Sequence, residues 1–340
     1  MSDLRYGLNI GTFNISISSI AAREILVENN VNAIRDGQYV IGYGNDAYEM
    51  FEKAPENVEV AFPVQGSVIS DLDKMTVVLE GLYKKLNRGK MVRGAEFLVA
   101  VPTDTTEVEK RAFHELVANS KIRPRSISVV EKCVADAISC GIDPSSPRGS
   151  LLVNIGADTT DIAVMSLGGI VLCRTLKFAG NRFNELIMNA VRKQEGKLIG
   201  IKSAQMLKGR LADFSNNPRH AEMNLFGRVM STGLPAKMTI QSEMVTESLS
   251  DAMRTITEET RRMLEKAPPE LAADIEEDGI YLLGGSSLFR GLNDFFEKET
   301  ELKVNPMQDP ANSTIRGVTK IFASPKMDNL RYYPEEKEYI

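Results

Sequence analysis

"GLNIGTFNIS" (Gly7–Ser16) and "LVNIGADTTDIAV" (Leu152–Val164) spell the same order twice: an apolar run, Asn-Ile-Gly, a turn of small or hydroxyl-bearing residues, and a second apolar run. From Arg5 to Ile20 apolar residues alternate with polar or small ones, which predicts a strand, a turn with its tip at Gly11-Thr12, and a returning strand. Small residues at such a tip leave backbone N–H groups and hydroxyls open, a nest that suits phosphate oxygens. A single turn of this kind reads equally well as a plain tight hairpin. Two copies, one in each half of the chain, predict a repeated unit whose turns face each other across a cleft and clasp a phosphate chain. A third glycine turn, "LLGGSSLFRG" (Leu282–Gly291), stands between a strand and a helix, where backbone approaches a ligand closely and the helix N-terminus adds a favourable dipole.

The rest of the chain is compatible with two lobes. Its 340 residues exceed one small core. A hydrophobic content of 43% with 26% charged residues is that of an ordinary globular protein. The formal net charge of −5 gives no basic footprint for nucleic acid. Cys133, Cys140 and Cys173 are odd in number and form no C-x-x-C clip, which fits buried thiols in a reducing compartment. His114 and His220, the only histidines, have no third metal ligand at a recognisable spacing and read as structural. No secretory leader, no run of 18 apolar residues and no amphipathic helix before the first strand is evident, so a cytoplasmic location is expected.

Along the chain, "NAIRDGQYVIGYGNDAYEMFEKAPENV" predicts a small inserted subdomain with a short helix stopped by Pro55. "SDLDKMTVVLEGLYKKLNR" predicts a helix capped by Ser70 or Asp71, with Met75, Val78, Leu79, Leu82 and Leu86 on one face. Strand then helix recurs at "EFLVAVP", "DTTEVEKRAFHELVANS" and "SISVVEKCVADAISCGID", the order of an α/β lobe. A three-strand meander restarts at "RGSLLVNIGADTTDIAVMSLGGIVLCRTLKF". Helices near Asn181–Glu195 and Ser203–Asp213, a polar region from about 216 to 240, and a long helix from Thr246 to Lys266 follow. Met244, Met253 and Met263 read as core or contact packing. "PKMDNLRYYPEEKEYI" reads as a surface strap or loose end.

With these motifs in place the chain resembles the bacterial actins of the MreB/Mbl rod-shape type, from about Tyr6 to Phe322. Besides the phosphate turns, the resemblance rests on "GNDAYEMFEKAPENV", "PVQGSVISDLDKM", "VPTDTTEVEKRAF", "DIAVMSLGGIV", "IGIKSAQMLK" and above all "KAPPELAADIEEDGIYLLGGSSLFRGL". It implies an α/β, actin-like ATPase fold of two lobes, each with a ribonuclease-H-like sheet and a small inserted subdomain. The first lobe would span 1–145 with its subdomain at about 28–70. The second would span 146–322 with its subdomain at about 182–243, the chain returning to the first lobe at about 309–325 before a tail at 323–340. It further implies Gly11, Thr12, Phe13 and Asn14 as the first phosphate loop and Gly156, Ala157, Asp158, Thr159 and Thr160 as the second. Gln205 and Lys208 would reach base and ribose, and Gly284, Gly285 and Ser286 would form the adenosine turn.

The departures from the family pattern sharpen the reading. Both aspartates that organise Mg²⁺ in the superfamily are amides here, Asn9 and Asn154, and an amide replaces a charged oxygen ligand poorly. The glutamate that positions the attacking water aligns with Lys132, and an ammonium cannot accept a proton from water. Gly156-Ala157-Asp158 puts a side chain and a charge where the family has glycines, and Ala179-Gly180-Asn181 replaces Gly-Gly-Asp. The expectation is ATP or ADP bound with doubtful Mg²⁺ and weak or absent hydrolysis, a pseudo-ATPase with no assigned catalytic residue. An active enzyme using Asp158 or Glu131 in new roles, and a non-polymerising adaptor on an inert fold, stay open. By resemblance the partners are the chain itself or a related paralogue in filaments, the cytoplasmic membrane face and the cell-wall synthesis machinery. Met91 and Val92 in the basic stretch "YKKLNRGKMVRG" are the membrane-contact candidates, with a solvated turn as the alternative.

Overall fold

The computed structural model describes residues 4–334. The chain divides into two compact units: Met1–Pro147 with Leu167–Cys173 and Asn312–Ile340, and Arg148–Ser166 with Arg174–Ala311.

The first unit opens with three antiparallel strands, β1 (Arg5–Ile10), β2 (Asn14–Ser19) and β3 (Glu24–Asn29). Then come β4 (Asn32–Arg35), β5 (Tyr39–Tyr43), α1 (Gly44–Met50) and β6 (Val58–Ala61), which form the inserted three-stranded sheet β5-β4-β6. The short helix ends at Met50, ahead of Pro55. A two-stranded corner, β7 (Val64–Gln65) and β8 (Val68–Ile69), leads into α2 (Leu72–Leu86), and Asp71 rather than Ser70 caps it by accepting from the Lys74 N–H. β9 (Glu96–Val101), α3 (Glu107–Ala118), β10 (Ser126–Glu131) and α4 (Lys132–Cys140) complete the crossovers. Thr106 and Glu109 form a reciprocal capping box at the start of α3, satisfying two otherwise orphaned donors. The main sheet runs β10-β9-β1-β2-β3, with β1, β9 and β10 parallel. Because side chains alternate along a strand, Tyr6, Leu8 and Ile10 share one face with Phe97 and Val99, where Met75, Leu79 and Tyr83 of α2 and Phe113 of α3 bury them.

The second unit repeats the opening. β11 (Ser150–Ile155), β12 (Thr160–Ser166) and β13 (Gly169–Leu176) form a meander in the sheet β13-β12-β11-β17-β18. Between β12 and the later strands lie α5 (Gly180–Glu195), β14 (Lys197–Leu198), α6 (Ile201–Leu211), β15 (Glu222–Val229), β16 (Pro235–Gln241), α7 (Ser242–Lys266) and α8 (Pro269–Asp278). β14, β15 and β16 make a second small sheet. The polar region at 216–240 is therefore in large part a hairpin, paired from Glu222↔Gln241 to Arg228↔Pro235. α8 has proline at its first turn, where a missing N–H costs nothing. β17 (Ile280–Leu283) runs parallel to β11 and β18, followed by a 3₁₀ turn at Gly285–Leu288, α9 (Leu292–Thr300) and β18 (Val304–Asn305).

The chain then re-enters the first unit as α10 (Ser313–Ala323). α10 packs on α4 so closely that a Cβ added to Gly317 would lie 1.7 Å from the Ala135 carbonyl oxygen. Buried Asp136 of α4 accepts from the Ser313 and Thr314 hydroxyls, both at 2.8 Å. The Phe322 ring lies under two guanidinium groups, Arg5 and Arg331. Within the expected tail, Pro325–Leu330 is a 3₁₀ helix and Tyr332 bridges the backbone of Val129; residues 335–340 lie outside the described residues.

Candidate functional site

Both Asn-Ile-Gly turns fold into the same hairpin. In the first unit Ile10 pairs with Ile15 and the Gly11 N–H donates to the Asn14 carbonyl at 2.9 Å. In the second, Ile155 pairs with Thr160 and the Gly156 N–H donates to the Thr159 carbonyl, also at 2.9 Å.

The first loop is held from behind. Asn30 Nδ2 donates to the Gly11 carbonyl at 2.8 Å, its backbone N–H donates to Phe13 O at 2.8 Å, and Asn29 Nδ2 reaches Asn14 Oδ1 at 3.2 Å. Phe13 stands edge-on to Tyr48, the first step of an aromatic series through Phe51 to Phe62 that joins the loop to the inserted subdomain. Asn30 did not figure among the candidates, although the amide-rich run "NNVN" after β3 carried the signal. Lys132, the first residue of α4, donates from Nζ to the Ile10 carbonyl at 3.1 Å. Asn9 Oδ1, one residue earlier, is buried without a hydrogen-bond partner. Glu131 is committed elsewhere, accepting from Lys110 Nζ at 3.0 Å.

In the second unit the α5 N-terminus and the turn at 284–286 bear on the second loop, and α6 reaches it through Gly180. The first two N–H groups of α5, from Gly180 and Asn181, donate to the carbonyls of Gly156 and Ala157 at 3.2 and 2.6 Å. The helix N-terminus thus bears on the loop through its backbone, adding positive potential there. Asn181 Nδ2 donates to Asp158 Oδ1 at 2.7 Å, so the carboxylate introduced at Asp158 is engaged by the amide introduced at Asn181. Lys208 of α6 donates to the Gly180 carbonyl at 2.6 Å, and Ser286 Oγ to the Gly156 carbonyl at 3.3 Å. Burial, which disfavours the charged form, holds the Lys208 ammonium down to about 8. Gly284 adopts φ +85°, and a Cβ there would meet Ile155 O at 2.3 Å and Asn154 Oδ1 at 2.5 Å, so only glycine lets the third turn lie on the second loop. Gly285 faces open space, and Thr159 and Thr160 are buried. Gln205 lies half-buried on α6, one turn before Lys208.

Met91 and Val92 are half-buried against the core of the first unit, and the Val92 carbonyl accepts from the Tyr83 hydroxyl at 2.9 Å. Lys84, Arg88, Lys90 and Arg93 around them are exposed. Among the described residues no helix is long and apolar enough to cross a membrane.

Two sheets, each opening on a three-strand meander whose first turn can present backbone to phosphate, define an actin-like protein. The MreB/Mbl protein family model matches residues 3–330. The cell shape-determining protein Mbl of Bacillus subtilis is 31% identical over 332 residues, covering 97% of this chain and 98% of Mbl. The cell shape-determining protein MreB of Escherichia coli K12 is 32% identical over 335 residues, covering 97% and 96%. The crystal structure of Spiroplasma citri MreB5 bound to AMPPNP superposes with a TM-score of 0.90 at 29% identity, covering 96% of this chain and 97% of that one. The same protein bound to ADP gives a TM-score of 0.89 at 29% identity, covering 96% and 98%. The chain belongs to the MreB/Mbl family.

Asn9 and Asn154, which the family resemblance puts at the metal positions, do not have the chemistry of Mg²⁺ ligands. They offer neutral amide oxygens, and the first loop already carries an ammonium on its Ile10 carbonyl. Among the described residues no three His, Cys, Asp or Glu side chains gather so as to hold a metal ion.

Proposed function

We propose that this protein is a cell-shape cytoskeletal protein that binds ATP or ADP through the loops at 11–14, 156–160 and 284–286 and turns nucleotide over slowly or not at all. The observation that carries the second half is the hydrogen bond from Lys132, which the resemblance aligns with the water-positioning glutamate, to the carbonyl of Ile10 beside the first loop. A cation there can neither orient nor deprotonate an attacking water. Asp158 and Glu131, the acids that might have taken over, are engaged by Asn181 and Lys110. Nucleotide binding is supported by the likeness to S. citri MreB5 in its AMPPNP and ADP complexes. The role in cell shape is supported by the relatives named for it.

The small subdomains correspond to 28–70 and 182–243, and the chain assembles into filaments with itself or a paralogue beside the cell-wall synthesis machinery. Contact with the cytoplasmic membrane face draws on exposed Lys84, Arg88, Lys90 and Arg93, each contributing about 1 kcal/mol near an anionic surface. Insertion of Met91 and Val92 would first have to break their packing on the core.

Pelleting of the purified protein with ATP, with ADP and without nucleotide, alongside phosphate release, tests the reading. Nucleotide-dependent pelleting with negligible phosphate release is expected, and the triple variant Lys132→Glu/Asn9→Asp/Asn154→Asp should raise release in Mg²⁺ by about 10²-fold. Rapid release by the wild type would overturn the low-turnover reading, and absence of pelleting in every condition would favour the adaptor.

A further inference from the structure

We infer that the Lys132 ammonium stands in for the divalent cation at the first phosphate loop, so that this protein binds nucleoside triphosphate without Mg²⁺. The inference rests on the nucleotide-binding reading above and names the counter-charge used by that site.

Within the first unit the charges on the loop are explicit. Lys132 opens α4, and its Nζ is 3.1 Å from the carbonyl of Ile10, the residue between Asn9 and Gly11. α4 carries no acid in its first turn, so the positive end of the helix adds to the ammonium instead of being offset. The neighbouring carboxylate, Glu131, is drawn off to Lys110. The side chain that would face a cation from β1 is a neutral amide, and its buried Oδ1 has no hydrogen-bond partner. In the second unit the matching strand also ends in an amide, Asn154, whose Oδ1 lies against Gly284.

A hard divalent ion at the first loop meets a neutral amide in place of a charged oxygen ligand and gains a fixed positive neighbour. A phosphate oxygen gains a charge-assisted hydrogen bond from a donor already anchored on the loop. At the first loop the substitutions Asn9 and Lys132 are therefore one change seen at two positions: the side chain facing a metal becomes neutral and a protein cation supplies the charge.

Calorimetric titration with ATP, in Mg²⁺ and in EDTA, tests this on the full-length chain. The wild type is expected to bind with dissociation constants within about threefold of each other in the two buffers, a difference too small for loss of a metal that bridges phosphates. Lys132→Met should weaken binding in EDTA by about 10- to 100-fold, the effect of losing a hydrogen bond to a charged group, while Lys132→Arg retains binding. The triple variant Lys132→Glu/Asn9→Asp/Asn154→Asp should bind only with Mg²⁺. Loss of wild-type affinity by more than about tenfold in EDTA overturns the inference and leaves nucleotide binding standing. No wild-type heat in either buffer overturns nucleotide binding and the inference together. Circular dichroism on each variant separates loss of binding from loss of fold.

Discussion

Lys208 shows how one residue records its surroundings. Its ammonium is held down to about 8 by burial, against an ordinary lysine value of about 10.4. The folded state therefore binds this proton less tightly than the unfolded state does. Below about 8 the destabilisation is fully present, and between about 8 and 10.4, where the unfolded chain holds more protons, stability from this group rises with pH. The wild type should accordingly gain in thermal midpoint on a Lys208→Met variant as pH is raised from 7 to 10; an unchanging difference between the two melting curves would count against the buried-ammonium account. At this scale the sequence was informative about identities and silent about aim. Set beside the family pattern that the chain resembles, Asn9, Asn154 and Lys132 stand out as changed charges. That Lys132 reaches the Ile10 carbonyl across 122 residues, and that Asp158 and Asn181 satisfy each other, needed the fold.

The crossing of α4 and α10 shows what an element demands of its sequence. Close approach at Gly317 leaves no room for a methyl group, the obstruction being the backbone carbonyl of Ala135 rather than a side chain that could turn away. Gly317→Ala should force the helices apart and cost about 3 kcal/mol, seen as a lower urea midpoint in the transition that exposes the first unit. An unshifted midpoint would mean that α10 does not seat as described. Elements with a one-sided apolar pattern were readable beforehand: α2 shows its buried face at helical spacing and a cap at Asp71. The β15–β16 hairpin was not, because its sheet is thin. Only Leu225 and Gly227 on one strand and Met238 and Ile240 on the other are buried, and Phe226 is 69% exposed among charged neighbours, so strand alternation is masked by a polar average. α8 escaped for a related reason, with Ile275 its one buried residue.

At the scale of the whole molecule, the chain's path matters more than either lobe's composition. The first unit is built from an early segment, 1–147, a short middle one, 167–173, and a late one, 312–340, while the second is interrupted only by 167–173. Deleting 312–340 should strip α10 from β1 and α4 and leave the first unit open to protease, with 174–311 still resistant; equal resistance in both units would contradict the division. Local patterns could suggest two lobes, but nothing in the spacing of residues around 312 says that the helix there belongs with β1; only the resemblance carried that expectation. The return of α10 also bears on how the protein is made. During synthesis the sheet of the first unit emerges well before its covering helix, because the segments of the second unit are made in between. The apolar groove awaiting Ile315, Val318 and Ile321 stays open for the time needed to translate the entire intervening chain, which makes that interval, rather than the mature protein, the stage at which chaperones have most to hold.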